Sequence, residues 1–193
     1  MVRITGGAAK GRRVGLRRSF SVENKDEGLR PTAAKVREAL FNILQKEING
    51  SEFLDLYAGT GAVGIEALSR GAGRVEFVEK SDARVKTLRS LLSQFGFEDR
   101  GRVIRAEAIS FVRKTAAGKT RYDIIFLDPP YASGELGDIL PLIGECGIVK
   151  EGGAVMAEHL SKNKLPRDIR GLRFAKDYIY GDTALSRYIR EES

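Results

Sequence analysis

Two short stretches combine residue types that could do chemistry. In FLDLYAGTGAVGIEAL (residues 53–68) a short apolar run carries Asp55 and is followed by Tyr57, Ala58, Gly59, Thr60 and Gly61. Gly59, Gly61 and Gly64 keep the GxGxxG spacing of a strand, a tight turn and a helix N-terminus built to receive a nucleotide. Further along, FLDPPY (residues 126–131) ends an apolar run on Asp128, Pro129, Pro130 and Tyr131. Two prolines stiffen the backbone and remove two N–H donors, so the Asp128 carboxylate and the Pro129 carbonyl form a cluster of acceptors beside an aromatic plate. Such a corner suits a flat ligand bearing an amine.

The glycine spacing alone also fits any strand-to-helix turn in an α/β protein. Asp55 sharpens it. A buried carboxylate demands a donor or a cation, and it would repel the pyrophosphate of a dinucleotide placed at the same helix N-terminus. S-adenosylmethionine has no phosphate and carries an ammonium and a sulfonium, so the acidic strand favours this methyl donor over NAD.

The elements that must position these residues follow from periodicity. A helix opening at Arg30-Pro31-Thr32, with Thr32 as its cap, puts Val36, Leu40, Phe41, Leu44 and Ile48 on one face and leaves Arg37 and Asn42 off it, exposed or facing a ligand. Strands are expected at Phe53–Tyr57, Val75–Glu79, Val103–Ile104, Tyr122–Leu127 and Gly153–Glu158, alternating with helices. Leu172–Tyr180 and Ala184–Ile189 close the chain as an antiparallel hairpin, and the polar stretch 161–171 reads as a loop. The pattern is that of a doubly wound, seven-stranded, mostly parallel sheet. Glu79, at the tip of the strand after the glycine turn, is placed to accept from ribose hydroxyls. Glu107 at the next switch faces an adenine amino group or favours its helix N-terminus by charge.

A chain of 193 residues, 42% hydrophobic and 31% charged, suits one globular domain with a small extension. The net charge of +7 points to a polyanionic partner. Residues 1–18 hold Arg3, Lys10, Arg12, Arg13, Arg17 and Arg18 without one acid, which is expected to form a basic β-hairpin against phosphates. Residues 19–28 read as a flexible link, dividing the chain into a basic arm (1–30) and a catalytic domain (31–193). Cys146 and His159 are single, so an intrachain disulfide and a Cys/His metal cluster are excluded, and His159 reads as a strand-end residue. No apolar run reaches membrane length, so a reducing cytoplasm is the expected location.

The chain resembles the bacterial 16S ribosomal RNA guanine-N2 methyltransferases, the group named for guanine 966, through RITGGAAKGRRV, LRPTAAKVREALFNIL, DLYAGTGAVGIEALSRGA, FLDPPY and YGDTALSRY. The resemblance implies a Rossmann-like class I methyltransferase with strand order 3-2-1-4-5-7-6, acting as a monomer without metal on 16S ribosomal RNA, free or in an assembling small subunit. It implies that Asp55, Gly59 and Gly61 hold the amino acid end of S-adenosylmethionine, Glu79 the ribose, Glu107 and Ala108 the adenine, and that Tyr57, Ala58, Thr60, Lys80 and Asp128 also line the cofactor site. The methyl would pass to a guanine N2 gripped by Asp128 and the Pro129 carbonyl, with Pro130 and Tyr131 completing the corner. Arg3, Lys10, Arg12, Arg13, Arg30 and Arg37 are the RNA-facing cations. Two other readings stay open: an amino-methyltransferase acting on DNA adenine or cytosine or on protein glutamine, and a non-catalytic RNA-binding or ribosome-assembly protein.

Overall fold

The computed structural model describes residues 2–14, 31–131 and 133–191; Arg30 and the expected link 19–28 lie outside them, as does the side chain of Thr32. The elements in order are β1 (Val2–Arg3), β2 (Arg13–Val14), α1 (Pro31–Ile43), β3 (Glu52–Asp55), α2 (Ala62–Ser69), β4 (Arg74–Glu79), α3 (Asp82–Phe95) and β5 (Gly101–Arg105). There follow α4 (Ala108–Ala116), β6 (Tyr122–Leu127), α5 (Leu136–Cys146), β7 (Val149–Leu160), β8 (Asp168–Ile169), β9 (Leu172–Tyr180) and β10 (Thr183–Arg190).

The main sheet runs β5-β4-β3-β6-β7-β10-β9-β8. Its first seven strands keep the expected 3-2-1-4-5-7-6 order. The sheet has eight strands rather than seven because Asp168–Ile169, inside the stretch expected to be a loop, turns at Gly171 (φ +76°) and pairs back on Arg173 and Leu172. Neighbouring strands from β5 to β7 are parallel, and β10 and β9 return antiparallel. Apolar residues facing both sides of the sheet build two cores. Phe53, Phe77, Ile124 and Met156 pack against α1, α2 and α3. Leu54, Val78, Ile125 and Leu127 pack against α4 and α5. His159 is the penultimate residue of β7, near the strand end as expected, bonding the Leu160 carbonyl and the Ser186 hydroxyl.

The basic N-terminal hairpin does form, with Val2 opposite Val14 and Arg3 opposite Arg13, but it is docked onto the domain. Ile4 and Ala9 are buried in the first core. The Ala8 N–H donates to the Ser69 carbonyl at 2.7 Å and the Ala9 N–H to the Ser69 hydroxyl at 2.8 Å. Gly7 lies at φ +76°, and a Cβ there would sit 1.8 Å from the Ser69 carbonyl oxygen, so only glycine allows this approach.

A buried charge cluster completes the joint. Glu66 on α2 has no solvent exposure and accepts from Arg37 Nε at 2.7 Å, from Arg70 Nε and Nη2 at 3.0 and 2.8 Å, and from the Thr5 hydroxyl. Arg37 also donates to the Arg3 carbonyl at 2.8 Å, so α1, α2 and the hairpin meet on one carboxylate. Removing one partner from such a cluster strands buried charge. Glu66→Ala is therefore expected to lower unfolding free energy by about 3–5 kcal/mol in urea titrations. A loss below about 1 kcal/mol, the value of a surface pair, would show the cluster to be dispensable.

Candidate active site

Asp55 closes β3, and the chain must then reverse into α2 within a few residues. Gly61 makes this possible by adopting φ +78° as the N-cap of α2, where a side chain would also strike Leu88 Cδ2 at 2.3 Å. Gly64 lies so close to Phe77 that a Cβ would stand 2.2 Å from the ring, which seats the helix directly on β4. The Asp55 carboxylate, 1% exposed, accepts the Gly64 N–H at 3.0 Å. It thereby meets one of the unpaired donors and the positive end of the helix dipole.

One donor does not offset full burial. Desolvation first, and then the nearby charge of Glu79, push the Asp55 carboxyl up to about 7, with the Gly64 hydrogen bond opposing both. Glu79, also buried, accepts from the Gly59 N–H at 3.0 Å and the Ser81 N–H at 2.8 Å, with Arg84 3.8 Å away. Each of its oxygens retains a second lone-pair direction for a hydroxyl donor. Two carboxylates thus underlie one turn, whose exposed tip is Thr60. Ala58 is buried and its N–H donates to the Val78 carbonyl at 2.9 Å. The Tyr57 hydroxyl is buried without a hydrogen-bond partner among the described residues, and its ionisation is pushed up first by burial and then by Glu135.

Beyond Glu79 lies an open cavity of about 560 Å³ lined by Lys80, Arg105, Ala106 and Glu107. Its size lies within the range of small-molecule sites. Glu107 is the N-cap of α4 and makes no side-chain cap bond, while Ala108 behind it is buried. The charge balance of the turn and the acceptors along this edge fit a cationic nucleoside such as S-adenosylmethionine.

The Asp-Pro-Pro-Tyr turn stands beside that edge. β6 pairs in parallel with β3, Asp55 opposite Phe126, and the Leu56 N–H donates to the Phe126 carbonyl at 3.1 Å. Asp128 follows two residues later on the adjacent strand, which puts its backbone on the order of 8 Å from that of Asp55. Asp128 and Pro130 are exposed and Pro129 is buried. Tyr131 is 41% exposed, one of two large apolar side chains on the surface among the described residues, and its hydroxyl donates to Glu158 Oε1 at 3.2 Å. Burial, followed by the Glu158 charge, pushes the Tyr131 phenol up to about 12.

The hairpin cations expected from the sequence are not brought to this corner, whereas the Arg37 charge acts on Glu158. Arg3, Lys10, Arg12 and Arg13 are exposed on the hairpin, which docks at the C-terminal end of α2, about 12 Å of helix away from the glycine turn. Arg12 donates to the Gln94 carbonyl at 2.7 Å and covers the Phe95 ring at 4.3 Å. Arg37, read as lying off the apolar face, is only 7% exposed because Glu66 and the Arg3 carbonyl hold it inside. Sequence reasoning missed Glu158 and the Thr5–Glu66–Arg70 set. An acid ending the apolar strand beside the Asp-Pro-Pro-Tyr turn was the available signal for Glu158. Among the described residues no group of three or more His, Cys, Asp or Glu could hold a metal ion, and no helix is long and apolar enough to cross a membrane.

The raised carboxyl of Asp55 has a consequence for stability. Its folded value of about 7 exceeds the unfolded carboxylate value, so its stabilising contribution is complete below pH ~4 and is lost as pH rises through about 7. Asn at this position can still accept from Gly64 but does not titrate. Between pH 5 and 8 the ligand-free native protein is expected to lose about 2–3 kcal/mol relative to Asp55→Asn in urea titrations. Parallel pH profiles would contradict the burial argument.

Residues 2–189 match the family model described as conserved hypothetical protein 95. The chain is 34% identical over 187 residues to YlbH of Bacillus subtilis, covering 97% of this chain and 98% of that one. It is 32% identical over 194 residues to ribosomal RNA small subunit methyltransferase D of Escherichia coli, covering 98% of this chain and 90% of that protein. The solved structure of Escherichia coli yhhF superposes with a TM-score of 0.83 at 32% identity, covering 100% of this chain and 99% of that one. With the glycine turn, the Asp-Pro-Pro-Tyr corner and the strand order all in place, the chain belongs to the family of conserved hypothetical protein 95 and ribosomal RNA small subunit methyltransferase D.

Proposed function

We propose that this protein is an S-adenosylmethionine-dependent methyltransferase of 16S ribosomal RNA and that it methylates the exocyclic N2 of a guanine. The observation that carries the reading is the shared strand edge, where Asp55 opposite Phe126 sets a negatively charged turn one strand away from an acceptor corner. A relative across nearly the whole chain, named ribosomal RNA small subunit methyltransferase D, supports the substrate class.

S-adenosylmethionine supplies an electrophilic methyl on a sulfonium. The residues that would hold it are the turn from Asp55 to Gly61 at the amino acid end, Glu79 and Lys80 at the ribose, and Glu107 and Ala108 at the adenine. Asp55 and Glu79 favour a cation over a phosphate by charge alone. The guanine N2 lone pair is delocalised into the ring, which makes the amine a poor nucleophile. Asp128 and the Pro129 carbonyl accept its two hydrogens and orient the lone pair, and Asp128 takes up the proton released on transfer. Pro129 and Pro130 keep that geometry rigid. Tyr131 presents an exposed ring on which a base drawn out of the RNA stack can lie.

RNA contact would extend beyond this corner. In this reading residues 1–30 form an RNA-facing extension of the catalytic domain 31–193, and Arg3, Lys10 and Arg13 meet phosphates far from the methyl-transfer point. Arg12 serves chiefly to fasten the hairpin to α3, and Arg37 positions it through Glu66.

Asp128→Ala is expected to reduce methylation of 16S ribosomal RNA or small subunits by at least about 100-fold while S-adenosylmethionine binding by calorimetry stays within a few fold. Turnover near the wild-type rate would remove Asp128 from the reaction. Replacing Lys10 and Arg13 together with alanine should weaken RNA binding and reduce the slope of log affinity against log salt by about 1.4–1.8. An unchanged slope would take the hairpin out of the interface.

A further inference from the structure

We infer that Glu158 is the residue that selects guanine, by accepting the base's N1–H while Asp128 and the Pro129 carbonyl hold the neighbouring N2 amine. The inference rests on the guanine-N2 reading and adds a specificity residue to it.

The placement follows from the sheet. β6 and β7 run in parallel, and their last paired residues are Leu127 and Ala157. One residue further, β6 yields Asp128 and β7 yields Glu158, so the two acids leave the same edge of adjacent strands. β6 turns away at Pro129, whereas β7 continues to Leu160 and is clamped on its other side by β10, with Glu158 opposite Leu185. Glu158 therefore stands on a strand paired on both sides rather than on a loop. Its side chain is part-exposed, and Oε1 already meets the hydroxyl of Tyr131, the ring proposed to carry the base. Burial raises its carboxyl, while the Tyr131 hydrogen bond and the Arg37 charge act in the opposite sense. A carboxylate this confined needs donors, and its acceptor capacity exceeds the single bond from Tyr131.

The chemistry of the bases gives the pocket its discrimination. In guanine the exocyclic amine is flanked by N1–H, a donor. In adenine and cytosine the ring nitrogen beside the amine is an unprotonated acceptor. An acidic acceptor next to an amine grip therefore binds guanine and sets lone pair against lone pair for the other two. Sites that hydrogen-bond a substrate N–H reject analogues lacking it far more strongly than apolar pockets reject small changes in shape. By the same chemistry this acid disfavours the adenine and cytosine amines as methyl acceptors.

The test uses 16S ribosomal RNA, reconstituted into small subunits, in which the methyl-accepting guanosine located by mass mapping is replaced with 2-aminopurine. That base keeps the 2-amine but presents an unprotonated N1. The wild type is expected to prefer guanine by at least about 100-fold in kcat/KM. Glu158→Gln, which is isosteric and can donate an amide N–H to the analogue's N1, should narrow the preference at least tenfold. Glu158→Asp keeps the charge and should retain the preference at a reduced rate; melting temperatures of both variants accompany the kinetics. A preference unmoved in Glu158→Gln, with the wild type still forming N2-methylguanine, would overturn this inference alone. Absence of N2-methylguanine with the wild type would overturn the underlying reading and this inference with it.

Discussion

The structure depends on a carboxylate buried beneath a turn. Asp55 ends a central strand inside the core, where a negative charge is costly, and it is met there by the Gly64 N–H on the first turn of α2. That bond ties strand to helix and forces the intervening residues through left-handed glycine geometry. Glu79 adds a second acid under the same turn, which makes the turn itself acidic. Charge complementarity then follows from folding itself: the arrangement that closes the turn also disfavours phosphate and favours a cation.

A second buried acid plays a different part. Glu66, two residues past Gly64 on the same helix, is satisfied by Arg37, Arg70 and Thr5, which come from three separate segments. The helix that begins at the glycine turn is thus the piece to which α1 and the N-terminal hairpin are both attached. Basic residues on the hairpin are held at a defined distance from the acceptor corner, as a surface that grips RNA while the base reaches the site would require. The arginines divide by environment: Arg37 and Arg70 serve the fold, whereas Arg3 and Arg13 face outward.

Much of this was legible in the sequence because short-range physics carries it. Apolar runs alternating with helical stripes gave the seven strands their number and type, and glycine spacing with an acid in the strand gave the turn. The two-residue β8 escaped because nothing in the polar stretch around Asp168 marks a strand; its pairing is created by the turn at Gly171 and by β9. Periodicity sets Arg37 off the apolar stripe, although it is buried, for a related reason. Helical periodicity sorts residues by hydrophobicity, and a cation buried against an acid from another helix looks identical to an exposed one. The same limit hid Glu158, whose interest lies in adjacency to β6 across the sheet rather than in its sequence neighbours.

The central claim is that one strand edge holds the methyl donor's charged end and the acceptor corner within reach of each other. A crystal structure of the protein with S-adenosylhomocysteine tests it most directly. The account predicts the ligand's amino acid end over the turn from Asp55 to Gly61, its adenine toward Glu107, and its sulfur facing the Asp128–Pro129 turn. A ligand seated elsewhere, or one whose sulfur points away from that turn, would contradict it.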